Sequence, residues 1–90
     1  MNITIRTNHP KPTRKLIENI ADFRGRYGNA VSIFHIIQSD DETIVGVAGD
    51  GDNGTYEWFV DRPTGFVMSD VGYGDSRIAL FYGLKQILER

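Results

Sequence analysis

The chain of 90 residues contains no cysteine. Disulfides, thiolate metal sites and cysteine nucleophiles are thereby excluded, and a reducing, cytoplasmic location is expected. Histidine is limited to His9 and His35, too far apart to pair as metal ligands. No glycine-rich phosphate loop is present, so neither a metal nor another cofactor is expected. Long apolar runs are missing too. The longest is Ile78-Ala79-Leu80-Phe81-Tyr82, where a membrane-spanning helix needs roughly 20 such residues, so no membrane partner is expected. The opening stretch MNITIRTNHPKPTRK carries no apolar segment of the kind a secretory leader needs.

What is present suffices for one globular domain spanning 1–90. Apolar residues make up 40 % and aromatics 11 %, above the composition of disordered chains. The formal net charge of −2 hides an uneven layout. Residues 1–30 hold six bases (Arg6, Lys11, Arg14, Lys15, Arg24, Arg26) against Glu18 and Asp22. Residues 31–75 hold nine acids against Arg62 alone. The ends are basic and the middle acidic, which points either to mutual neutralisation or to a charged contact surface.

Residues 2–7, NITIRT, alternate as a short strand does. Pro10 and Pro12 interrupt regular structure after it, and Pro12 or Thr13 opens a helix with Leu16, Ile20, Phe23 and Tyr27 on one stripe, closed by Gly25 and Gly28. The period then changes to two. Strands are expected over 30–38, 43–49 and 55–61, with a short edge strand over 66–69, joined by the polar turn 39–42, by Asn53-Gly54 and by RPTG. A second helix closes the chain over 76–90, with Leu80, Phe81, Leu84, Ile87 and Leu88 as its apolar face. The expected fold is α+β: an antiparallel sheet of four to five strands with both helices packed on one face, in the order β-α-β-β-β-(β)-α.

A register built on an Asn53-Gly54 turn sets Gly49 against Trp58 and Val47 against Val60. A turn centred on Asp40-Asp41 sets Phe34 against Val47 and Ile36 against Val45. The helix-covered face then holds Phe34, Ile36, Val45, Val47, Tyr56, Trp58 and Val60. The opposite face, with Ile33, His35, Ile37, Ile44, Ala48, Phe59, Glu57 and Asp61, is too apolar to stand in water and suggests a homodimer or another partner. A slip of one residue in either hairpin exchanges the faces.

Several short motifs bear on chemistry. Residues 70–76, DVGYGDS, contain the VGYGD string of potassium-channel filters. A filter works only between spanning helices, so the string reads as a glycine-rich connection delivering the chain to an N-cap at Asp75 or Ser76. DGDNG, residues 50–54, lacks the glycine spacing of a helix-flanked calcium loop and reads as a hairpin tip. RGRYG, residues 24–28, is similar to single-stranded RNA-binding segments, which makes Arg14, Lys15, Arg24 and Arg26 of the first helix a candidate phosphate contact. His35 and Asp61 share a face in the register above and form the one acid–base pair on which a small enzyme would rest. YEWFVDRPTGFVM resembles the strand–turn–strand of small inhibitory domains of the PepSY kind over thirteen residues, which implies a hairpin closed by Pro63 and Gly65.

No catalytic constellation stands out, and the leading expectation is a small non-enzymatic protein that acts by occupying a macromolecular surface. A phage or mobile-element accessory inhibitor of a host defence complex is the type of molecule expected. Its partner would be a protein with a basic surface, met by Asp40, Asp41, Glu42, Asp50, Asp52 and Glu57 and anchored by Tyr56. Nucleic-acid binding by the basic first helix is the alternative, and the His35–Asp61 enzyme the next.

Overall fold

The computed structural model describes residues 5–6, 13–24, 32–39, 41–50 and 54–88, with backbone alone for Ile5, Arg6, Ala21, Phe23, Arg24 and Asp50. The elements are β1 (Ile5–Arg6), α1 (Arg14–Arg24), β2 (Ser32–Ser39), β3 (Ile44–Asp50), β4 (Thr55–Arg62), β5 (Gly65–Met68) and α2 (Ser76–Leu88). The domain is α+β, and the element order is the one the sequence predicts. One antiparallel sheet runs β1-β2-β3-β4-β5 in chain order, as short turns between consecutive strands require.

Both helices start on side-chain caps. The Thr13 hydroxyl accepts from the Leu16 amide at 3.1 Å, and the Thr13 carbonyl accepts from Ile17 at 3.1 Å. Asp75 does the same for α2: its carboxylate accepts from the Arg77 amide at 2.8 Å and its carbonyl from Ala79 at 3.1 Å. Each cap satisfies amides that a helix's first turn leaves unpaired.

The helices do not share a face. Along β3 and β4 the pairs Val47↔Trp58 and Val45↔Val60 alternate with Gly46↔Phe59, Ala48↔Glu57 and Ile44↔Asp61, so the two sets stand on opposite sides of the sheet. α2 lays Leu80, Leu84 and Ile87 against Val45, Trp58 and Val60. α1 lays Leu16 and Ile20 against Ala48, Phe59 and Met68, with Ile33, Ile44 and Phe66 alongside. The result is three layers, helix–sheet–helix. The reason is visible in β3 itself, whose IVGVAG is apolar on both faces and needs a cover on each. The Phe59 face, expected from sequence to be open for a homodimer, is closed by α1, and Phe59 is fully buried.

Register explains which residues reach which face. β2 and β3 pair as Ile33↔Ala48 and then His35↔Val47, Ile36↔Gly46 and Ile37↔Val45, with a bulge between Ile33 and His35. Phe34 is the extra residue, and beyond it every side chain of β2 is on the face opposite to that expected. Ile36 is therefore buried opposite Gly46 on the α1 side, while His35 and Ile37 turn to the α2 side. The β3–β4 hairpin departs by two residues, with Gly49↔Tyr56 and Asp50↔Thr55 in place of Gly49 opposite Trp58. An even slip preserves the faces, so Trp58 and Val60 stay with Val45 and Val47. The same expected register would set Asp50 against Glu57; in the structure Glu57 stands opposite Ala48 instead.

α2 approaches the sheet through Ala79, Gly83 and Ile87, its buried positions, while Phe81 and Leu88 of the expected apolar face remain 58 % exposed. A Cβ at Gly83 would lie 2.8 Å from the Trp58 Cβ and 3.2 Å from the Val45 Cγ1. Alanine favours helix over glycine by about 1 kcal/mol. Gly83→Ala is nevertheless expected to destabilise by about 1–3 kcal/mol through overpacking, read as a lower urea midpoint with an unchanged slope.

In the β2–β3 turn, Glu42 takes φ 67°, the left-handed region that costs a side-chain-bearing residue about 1–2 kcal/mol. Its neighbour fixes the turn. The Asp41 carboxylate accepts from the Ser39 hydroxyl and, at 3.2 Å, from the Thr43 amide. These bonds, the Ser39 hydroxyl's above all, hold the Asp41 carboxyl below the usual carboxylate range. Glu42→Gly is expected to raise the melting temperature by a few degrees, corresponding to about 1 kcal/mol.

Candidate partner-binding surface

Where β3 meets β4 at the Asp50–Thr55 end, aromatic side chains gather on the α2 side of the sheet. Tyr56 pairs with Gly49 on one flank and on the other with Tyr73, by reciprocal backbone bonds of 2.8 Å. This bridge is what the DVGYGDS stretch does. After β5 the chain is tied down at Ser69, whose amide donates to the Trp58 carbonyl at 2.9 Å and whose hydroxyl donates to the Val71 carbonyl at 2.8 Å. It then touches β4 once more at Tyr73 before Asp75 caps α2.

The rings form an arc. Phe34 stands edge-on to Tyr56 with centroids 5.0 Å apart. Tyr73 stacks on Tyr82 at 5.1 Å, and Tyr82 meets Phe81 edge-on at 5.5 Å. The bulge delivers Phe34 to this side. Gly49 makes room beneath, since a Cβ there would lie 2.9 Å from the Tyr56 ring and 3.0 Å from the Phe34 ring. Phe34 is 41 % exposed and Tyr56 and Tyr73 are half-buried, so the arc is a surface and not a core. Asp70, three residues before Tyr73, is exposed. The Asp75 carboxyl is held below its ordinary range by the Arg77 guanidinium and amide. His35 Nε2 lies 3.3 Å from the Ser76 hydroxyl at the start of α2.

No protein-family model matches this chain. Neither a curated protein nor a solved structure matches it.

The residues singled out from sequence are scattered by the fold. Asp41 and Glu42 are exposed in the β2–β3 turn, at the sheet end that carries Asp61. Asp50 closes β3 at the other end, roughly 20 Å away at about 3.4 Å per residue. Tyr56 and Glu57 face opposite sides, Glu57 half-buried on the α1 side. Asp40 and Asp52 lie outside the described residues. Of the basic set, Arg14 pairs with Glu18 at 3.3 Å and Lys15 is exposed; Arg24 is described in backbone only, and Arg26 lies outside.

His35 and Asp61 are not brought together. The bulge turns His35 to the α2 side, while Asp61, opposite Ile44, stands on the α1 side, so the sheet separates them. Asp61 instead lines a cleft of about 460 Å³ with Thr13, Lys15, Asn19, Glu42 and Arg62. Burial pushes its carboxyl up, against the opposing pull of Lys15.

Sequence reasoning missed Phe34, Tyr73, Tyr82 and Phe81 as surface residues. One signal was available: five consecutive apolar residues, Ile78–Tyr82, cannot all lie on one side of a helix. Among the described residues, no helix is long and apolar enough to cross a membrane, and no cluster of three or more acidic or histidine side chains is placed to hold a metal.

Proposed function

We propose that the chain is a non-enzymatic binding protein that occupies a protein surface, with Phe34, Tyr56 and Tyr73 as anchors. The observation that supports this reading is the exposed aromatic arc. Large rings held in place by backbone pairing and by each other lose little conformational freedom on binding, and such residues dominate measured hot spots. Asp70, three residues before Tyr73, is exposed, and acidic rims steer basic partners. The partner is therefore a protein with lysines and arginines around an apolar recess. An accessory inhibitor from a phage or mobile element, blocking a host defence complex, would act by occupancy of this kind.

The test is capture of the partner from host lysate, followed by binding kinetics. Phe34→Ala is expected to weaken affinity about tenfold or more, the loss of one ring anchor, through faster dissociation. Reversing Asp70 to lysine is expected to slow association at low salt only. Full affinity in Phe34→Ala would sink this reading. Binding to an oligonucleotide that falls steeply with salt and is lost on replacing Arg14, Lys15 and Arg24 would support the nucleic-acid alternative instead.

A further inference from the structure

We propose that the outer face of α2 is covered by the α2 of a second copy of this chain, packed antiparallel about a two-fold axis. α2 has two apolar sides. One, through Ala79, Gly83 and Ile87, is buried on the sheet. On the other, Ile78, Phe81, Tyr82 and Leu88 remain 51 %, 58 %, 38 % and 58 % exposed. Their spacing of three, one and six residues keeps them, with Lys85, on one helical stripe. A helix that is apolar all round is normally enclosed. α1 provides the internal contrast: its outer positions Arg14, Lys15, Glu18 and Asp22 are charged and exposed.

The stripe is complementary to itself. Its ends are the aliphatic Ile78 and Leu88, and its middle is an aromatic pair followed by one cation. A two-fold axis near Gly83 sets Ile78 against the partner's Leu88 and Lys85 against the partner's Phe81 and Tyr82. Lys85 Nζ already lies 5.8 Å and 5.6 Å from the Phe81 and Tyr82 ring centres of its own helix, so in the pair each ammonium sits among rings of both copies. The neighbouring cation, Arg77, is held by Asp75 at 3.3 Å. A parallel pairing would instead set Lys85 against Lys85. Isologous dimers require this kind of self-matching patch. The area is also of the right order. Four large side chains about half exposed, at roughly 200 Å² each, offer about 400 Å² per copy, and a polar rim brings the total towards the lower bound of about 1,200 Å² for a stable interface. The dimer is accordingly weak and concentration-dependent.

Sedimentation velocity of the full chain from about 1 µM to about 1 mM brackets the affinity of so small an interface. The mass is expected to rise from 10.2 kDa towards twice that value. Phe81→Glu, at a side chain 58 % exposed, is expected to keep the wild-type melting curve and stay monomeric. Ile17→Glu, on α1 and 40 % exposed, is expected to dimerise as wild type does. Because the chain has no cysteine of its own, orientation is directly readable. Under mild oxidation a mixture of Ile78→Cys and Leu88→Cys is expected to give the mixed disulfide, and neither variant alone a crosslink. A wild type that stays at monomer mass throughout overturns the proposal. So does a dimer that survives Phe81→Glu, or one that crosslinks position 78 to position 78.

Discussion

Gly46→Val is expected to leave the chain without a cooperative fold at room temperature. Gly46 sits in the middle of β3, with Ile36 on one side and Phe59 on the other. A Cβ there would collide with the His35 carbonyl and with the Phe59 ring. The carbonyl belongs to the backbone of the bulged strand, which cannot rotate out of the way, and the ring is wedged in a fully buried site. A domain of this size has roughly 5–13 kcal/mol of stability in all. Strand separation plus displacement of the largest core ring removes a large part of that. Circular dichroism and urea titration check it: a folded Gly46→Val with a midpoint near wild type would show that the β2 backbone does not crowd Gly46. The double variant Gly46→Ala/Phe59→Ala separates the two clashes. It is expected to remain less stable than Phe59→Ala alone, because removing the ring leaves the carbonyl in place.

Phe59→Ala itself is expected to cost about 3–5 kcal/mol, the range for truncating a buried aromatic. Phe59 joins three elements on the α1 side: its ring covers Gly46, stacks on Phe66 with centroids 6.2 Å apart, and packs with Leu16 and Ile20. Truncation opens a void beneath α1, whose buried side chains among the described residues are Leu16 and Ile20. Hydrogen exchange in α1 is therefore expected to rise more than in α2. Trp58 is the larger residue but only half-buried, so Trp58→Ala is expected to cost less. The reverse order would place the main core on the α2 side.

The two periodicities were legible in the sequence, and with them the α+β class and the element order; the helix starts were narrowed to Pro12 or Thr13 and to Asp75 or Ser76, of which the fold uses Thr13 and Asp75. Local signals carry this kind of information, because a helical stripe or a hairpin turn is written in neighbouring residues. What was not legible depended on a single residue of register. The bulge at Phe34 has no glycine or proline to announce it, and it moves His35 to the far face from Asp61. The placement of α1 was within reach. The Phe59 face is too apolar for water, and the helix at hand is its nearest cover. Gly83, a poor helix former in mid-helix, carries the same message for α2, since only close packing gives a glycine a place there.

The chain-order sheet bears on how fast the molecule forms. Of the four strand pairings, three close over connections of a few residues, and only β1–β2 must wait for a helix to be traversed. Short loops close in tens of nanoseconds and hairpins in about 1–10 µs, so β2 to β5 can zip sequentially with little chain entropy lost at each step. The slow step is then the arrival of the two helices on opposite sides, neither of which is stable as an isolated helix at 11 and 13 residues. A sheet open on both faces is the species most exposed to association with others of its kind, and the speed with which α1 and α2 close over it sets how long each newly made chain spends at risk of aggregation.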